Sequence, residues 1–378
     1  MKHIVSLLLS IFFVTSFEVS AEPMQKEWIN DYVVEVTQSK LPYPKALLVL
    51  PNDAILVAHR DGFITRIAEG VENARFSLPL PQLFTGGQGG VLDILLVSGF
   101  GDKSVSNQVD ASGQLLISYS KGTASNNKLA VVSVWLSLKD GVINVAPVYE
   151  VNESKDTPVH FGGKLLALSH GGYLVTTGDG FDYREKAQVL SSHLGKVIGF
   201  TLDGKPLPSA PFDSSPYVYS LGHRNPQGLV YFDGNVYQHE HGPAGGDELN
   251  KLTKGANYGW PVVTLGKDYS GANISPFTHY ENMQSPLINW TPSIAPSSMT
   301  VYHHDAFTTL NDSLLITTLK AKQLLAVSLH DKEWSAQRIF STLDDRLRDV
   351  DVDGLGNILV LTDGEEAKIL KISPLSTM

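Results

Sequence analysis

Six times along this 378-residue chain a short apolar segment meets a turn of Gly, Asn or Asp and continues into another apolar segment. The clearest copy is Ala46–Leu50, turn Asn52-Asp53, Ile55–Ala58, turn Asp61-Gly62, Phe63–Ile67. The other copies begin at Leu92–Val97, Lys164–Leu168, Leu229–Phe232, Met299–His303 and Arg348–Val352. Segments of this length, rich in Val, Ile, Leu and Tyr and bounded by turn residues, read as strands. Helical periodicity is nearly absent, and its best stretch, Arg184–His193, is short. Six similar β-units at a period of roughly 45–70 residues predict an all-β, six-bladed β-propeller, with the surplus length in loops. A pair of β-sandwiches is the competing architecture. A blade cannot bury both of its faces alone, so the six must close into one domain, residues 22–378. A strand near Tyr32–Thr37 is placed to pair with the last blade and close the ring.

Composition narrows the chemistry. There is no Cys, which removes disulfides, thiolate zinc, Fe–S clusters and a Cys nucleophile. A formal charge of −10 argues against nucleic acid, whose binding draws on Lys and Arg. The start reads as an export signal: Met1-Lys2-His3 is basic, Ile4 to Val14 is apolar, and Val19-Ser20-Ala21 has the form of a cleavage site. The apolar run is shorter than the ~20 residues a bilayer requires. The expectation is a periplasmic or secreted protein, cut near Ala21, with no membrane span.

Several motifs sit in the loops. Gly86-Gly87-Gln88-Gly89-Gly90 is followed by a strand instead of a helix, so it is no phosphate loop; it reads as a tight turn that exposes the Gln88 amide. Asp349-Val350-Asp351-Val352-Asp353-Gly354 opens like a calcium loop but has Val360 where the final Glu belongs; alternate Asp residues on an exposed strand face explain it. His160 precedes one strand and Asp179 ends the next. As blade neighbours they would form a carboxylate–imidazole pair, with the free nitrogen a base; a structural His is the plainer reading. Gly222-His223-Arg224-Asn225-Pro226-Gln227-Gly228 offers donors to a ligand carbonyl or carboxylate, or is a loop held by Arg–backbone bonds. Glu240 to Glu248 is a Gly-rich acidic loop with the oxygen donors of a calcium site, or an ordinary acidic turn. Arg346 and Arg348 point the same way on a strand. They either share an anion, with Lys320 near, or make salt bridges to Asp344, Asp345 or Asp349.

Taken in order, the stretches GGQGGVLDI, HFGGKL, TTGDG, LSSHLGKV, GHRNPQGL, EHGPAGGDELN, GANYGWP, WTPSIAPSSM, TLKA and RLRDV with LVLTDG resemble the soluble quinoprotein aldose (glucose) dehydrogenases. These are six-bladed propellers that use pyrroloquinoline quinone (PQQ). The resemblance runs from about Pro42 to Pro374. It implies oxidation of an aldose at C1 to a lactone, with electrons passed to an external quinone, cytochrome or dye. His160 would be the general base, Asp179 its orienting group, and Arg224 and Asn225 the partners of the quinone oxygens. Gln88 would line the same site, and Lys320, Arg346 and Arg348 would hold the PQQ carboxylates. Trp290 and Ser293 would flank the cofactor or the sugar. The carbonyls of Gly242 and Pro243 would ligate a calcium ion bound to PQQ, and Glu248 with Tyr258 a second, structural calcium. Two departures bear on sugar preference: Gly180-Phe181-Asp182 stands where relatives often carry Gln, and Pro44-Lys45 where many have an aromatic after Pro. The competing functions are a calcium-dependent propeller lactonase or esterase and a non-catalytic carbohydrate-binding propeller. Oligomeric state stays open, with a monomer favoured.

Overall fold

The computed structural model describes residues 32–68, 70–101, 111–330 and 333–375; the expected leader, residues 1–21, lies outside them. The described residues form 24 strands in six four-stranded sheets, each an antiparallel meander. The innermost strands are Pro44–Val49, Val91–Gly99, Gly162–Ala167, Pro226–Phe232, Pro296–Tyr302 and Leu347–Val352. Each packs on the next, and the sixth packs on the first. The sheets are therefore blades of a closed six-bladed β-propeller, numbered here from the strand Pro44–Val49. Apolar clusters fill the wedges between blades. Leu56, Ile64, Leu115, Ile117 and Val132 join blades 1 and 2, and Leu47, Val57, Leu359, Leu361 and Ile369 join blades 1 and 6.

Closure rests on two devices. The strand Tyr32–Leu41 pairs antiparallel with Ala367–Pro374 and becomes the outermost strand of blade 6, as expected from sequence. The second device corrects the reading of the Asp349–Asp353 run as an exposed face. Asp349 is buried, its carboxylate accepts the Leu47 N–H at 2.7 Å, and Asp351 accepts the Val49 N–H at 2.8 Å. Both clasp blade 6 to the inner strand of blade 1. Asp93 does the same from blade 2 to Leu165 of blade 3, at 2.8 Å. A buried carboxylate is tolerated only when its oxygens are satisfied, and strand N–H groups supply that here.

The expected helix at Arg184–His193 reduces to one short 3₁₀ turn, Arg184–Gln188. The acidic loop also ends early: Asp247–Leu252 is a strand of blade 4. Among the described residues no helix is long and apolar enough to cross a membrane.

Candidate active site

The inner strands converge on the ring axis, so residues at their starts, and in the loops before them, face one another. They line a cavity of about 220 Å³ to which all six blades contribute: Lys45, Gln88, Lys164, Asn225, Ser297 and Arg348 are one residue from each. Arg346, Gln227 and Phe161 also line it. Arg346 and Arg348 do not meet Asp344, Asp345 or Asp349. Both bind Asp363, from the turn after the second strand of blade 6, at 3.1 and 2.7 Å. Burial would raise the Asp363 carboxyl, but the Arg348 and Arg346 guanidiniums outweigh it and hold the group below its ordinary value. Lys164 is a different kind of cation. It is clamped between Asp93 at 3.0 Å and Asp349 at 3.5 Å, which more than offset its burial and raise it above the usual lysine range.

Beside this cavity sits the imidazole–carboxylate pair expected from sequence. His160 Nδ1 lies 2.7 Å from Asp179 Oδ1, and both residues are buried. The same oxygen accepts the Phe181 N–H at 2.8 Å, and Asp179 Oδ2 accepts Trp260 Nε1–H at 2.8 Å. A carboxylate with these partners makes Nδ1 the protonated nitrogen and leaves Nε2 as the base. Nε2 has no hydrogen-bond partner among the described residues. Burial lowers the imidazole pKa, with Asp179 opposing and Arg224 adding to the fall, so the ring is neutral at pH 7.

The backbone at His160 is left-handed, φ 52°, and the Gln88 side-chain oxygen accepts its N–H at 2.8 Å. A left-handed non-glycine residue is a strained feature that the surroundings must hold in place. Gly178 permits the close crossing, since a Cβ there would collide with the His160 carbonyl. Phe181, Trp260, Arg224, Pro243, Asp268 and Tyr269 line a second, more open cavity of about 380 Å³. Phe181 meets the His160 ring edge-on at 5.1 Å and stacks on Tyr269 at 6.4 Å. Two aromatic faces beside a carboxylate offer both apolar and hydrogen-bonding surface to a polyol.

Arg224 borders this outer cavity. Its Nη1 donates to the Gly242 carbonyl at 2.7 Å and to the His241 carbonyl at 3.1 Å. Its Nε is buried with no partner. Asn225 accepts the Gly162 N–H at 3.3 Å and Gln227 Nε2–H at 3.1 Å, and its own NH₂ has no acceptor among the described residues. Buried donors left over in this way mark a place for an acceptor-rich ligand.

Other expected residues fall elsewhere. Trp290 and Ser293 reach neither cavity: Trp290 packs in the apolar cluster between blades 4 and 5, and Ser293 Oγ donates to Asp247 at 2.7 Å. That same Asp247 carboxylate also takes the N–H groups of Gly242, Ile294 and Ala295, so these residues shape the loops from behind. Lys320 is exposed next to Leu319, which lines the axial cavity. The Gly242 carbonyl is engaged by Arg224. The Tyr258 hydroxyl is used within its own blade, donating to the Lys251 carbonyl at 2.6 Å. Glu248 faces a small gap with Glu240, and burial followed by Glu240 raises its pKa. Among the described residues no group of three or more His, Asp or Glu is arranged to hold a metal ion.

Sequence reasoning missed Trp260, Asp363 and Lys45. The first two lie within quoted motifs, GANYGWP and LVLTDG, but nothing local shows that they reach Asp179 and the arginines.

The sequence model of the glucose/sorbosone dehydrogenase family matches residues 41–371. An aldose sugar dehydrogenase of Escherichia coli is 32% identical over 355 residues, 90% of this chain and 92% of that one. The quinoprotein glucose dehydrogenase B of Acinetobacter calcoaceticus is 33% identical over 238 residues, 46% of this chain and 48% of that protein. The crystal structure of the soluble E. coli aldose sugar dehydrogenase in its apo form superposes with a TM-score of 0.80 at 32% identity, covering 91% of this chain and 99% of that one.

Proposed function

Because the chain belongs to the glucose/sorbosone dehydrogenase family, we propose that it is a PQQ-dependent aldose sugar dehydrogenase that oxidises the C1 hydroxyl of its substrate to a lactone. The observation that carries this reading is the oriented His160–Asp179 pair, tied through Gln88 to the cation-lined axial cavity and through Phe181 to the aromatic, open one.

The donor set fits an anionic quinone. Arg346 and Arg348 would hold its carboxylates, with exposed Lys320 closing over them. The unused NH₂ of Asn225 and the orphaned Nε of Arg224 would meet its carbonyl oxygens, with Gln88 beside them. Bound PQQ supplies a two-electron acceptor for the hydride of C1. The protein's own contribution is positional and electrostatic. His160 Nε2 takes the proton of the C1 hydroxyl. Asp179 fixes the tautomer and stabilises the imidazolium that results. Arg224, itself buried, offers its charge where negative charge develops. Phe181 and Tyr269 pack the sugar against His160.

Calcium belongs to the same proposal. The Pro243 carbonyl, and the Gly242 carbonyl once Arg224 turns to the quinone, would bind one ion. Glu248 and the Tyr258 carbonyl would bind another. Two neighbouring carboxylates, buried Glu240 and half-buried Glu248, have the oxygen chemistry of a hard cation site. We further propose a single propeller domain over residues 22–378, export to the periplasm with cleavage near Ala21, and an external electron acceptor.

The test is reconstitution of apoprotein with PQQ and Ca²⁺, followed by aldose-dependent dye reduction. Reduction by at least one aldose is expected, and its loss in His160→Ala with PQQ still bound. A folded protein that binds PQQ and oxidises no aldose would refute the reading.

A further inference from the structure

Lys45 opens the inner strand of blade 1 and lines the axial cavity together with Arg346 and Arg348. Two residues farther on, the Leu47 N–H binds Asp349, the neighbour of Arg348 in blade 6. The clasp between blades therefore brings this lysine beside the arginine pair. Its Nζ makes no hydrogen bond or ion pair among the described residues. The one carboxylate nearby, Asp363, is shared by the two guanidiniums. Lys164, the other lysine of the cavity, has two carboxylates to itself. Three cations thus crowd one carboxylate at the blade 6 side of the cavity, and one of them has no partner. Lys45 is half-buried, and a cation drawn out of water without a partner is costly; such a site persists where a ligand supplies the missing charge.

We propose that Lys45 is a further anion-binding residue of the axial cavity, holding a carboxylate of bound PQQ alongside Arg346 and Arg348. This rests on the PQQ reading above and adds a residue outside the set that the family resemblance implies. The surroundings give it a signature that the arginines cannot give. Burial, then the Arg348 charge, lower the Lys45 amine to about 7, with Arg60 adding to the fall and Asp363 opposing it. Arg346 and Lys164 are the other cations that line the cavity with it. An anion bound against Lys45 favours its charged form. At pH 8 net proton uptake is therefore expected as PQQ binds, with affinity falling as pH rises above 7.

The experiment is equilibrium titration of apoprotein with PQQ, without sugar, followed by tryptophan fluorescence. It is paired with calorimetry at pH 8 in two buffers of different ionisation enthalpy. Lys45→Met is expected to weaken PQQ binding at pH 7 by about 10- to 100-fold, the worth of a charge-assisted hydrogen bond, and to abolish the difference in proton uptake. Lys45→Arg should retain binding but show no uptake, because Arg does not deprotonate. Unchanged thermal unfolding of the apoproteins shows that the fold is intact; if Lys45→Met fails to fold, Lys45→Arg carries the proton test alone. Equal affinity and equal uptake in wild type and variants would overturn the role of Lys45 and leave the PQQ reading standing. Weakened binding of a sugar acid such as glucuronate, with PQQ affinity unchanged, would overturn it by assigning the lysine to substrate. No PQQ binding by the unaltered protein would overturn both.

Discussion

Replacing Asp179 by Asn tests whether the carboxylate sets the tautomer of His160. Three N–H groups converge on it: His160 Nδ1 at 2.7 Å and Phe181 N at 2.8 Å on one oxygen, Trp260 Nε1 at 2.8 Å on the other. Asn offers one oxygen and one NH₂. With the amide oxygen toward His160, the NH₂ meets the Trp260 N–H, donor against donor, at a position with no solvent access. With the amide reversed, the NH₂ confronts the Phe181 N–H and forces Nδ1 to accept. The imidazole proton then moves to Nε2, and the base is gone. Either arrangement strands a buried donor, so unfolding in urea should show a loss of about 1–3 kcal/mol. Single-turnover oxidation of an aldose should slow by about 10²- to 10⁴-fold, the range for a lost general base. PQQ affinity should hold, because Asp179 does not line the axial cavity. Turnover within about tenfold of wild type, below that range, would refute the argument, as would a loss confined to cofactor binding.

Three further outcomes follow from the buried charges. Burial keeps the His160 pKa below its ordinary value, and neutral imidazole is the active form, so kcat/KM should persist as pH falls through about 6.5, the ordinary His value, and decline only below it; a decline centred above the ordinary value would contradict this. Lys164→Met leaves Asp93 and Asp349 facing each other without their cation and should cost about 3–5 kcal/mol in urea unfolding, with Asp93→Asn in the same chain recovering part of the loss. Glu248 is an acid whose folded-state pKa lies above its unfolded value, so calcium-free protein should lose thermal stability as pH rises above the carboxylate range, from about pH 5 upward; calcium should restore it, and Glu248→Gln should flatten both effects.

What the sequence disclosed of the fold was its repeating inner part. Segments such as Ile55–Ala58 or Ser313–Thr317 are apolar and lie between turns, so their strand character is local. The outer strands are not so marked. Glu333–Ile339 and Gly141–Glu150 are half-exposed and mixed in polarity, and they become strands because a neighbour offers an edge. Asp247 and Glu248 read as the end of the acidic loop Glu240–Glu248, yet they open the strand Asp247–Leu252. Asp247 is nevertheless fully buried, with its oxygens bound by Gly242, Ser293, Ile294 and Ala295. No local rule shows that a carboxylate will be satisfied by residues more than 40 positions away.

The site divides along the same line. His160 and Asp179 flank one hairpin, so their meeting was legible from strand ends 19 residues apart. The charges around the axis were not, because each pairing crosses the ring. Asp349 was assigned to an exposed face, yet it binds Leu47 and Lys164 on two other blades. Lys45 drew notice only as a departure from a resemblance, and it acquires a chemical meaning when closure sets it against Arg348. The ring holds the cations together through backbone-bound carboxylates at Asp93, Asp349 and Asp351, and these lie on the inner strands themselves. The contacts that close the propeller are therefore also the contacts that set the charge of its cavity. A substitution at one of these aspartates should change ligand affinity and stability together, whereas Lys45 and the arginine pair lie on the cavity surface, where the two effects can be separated.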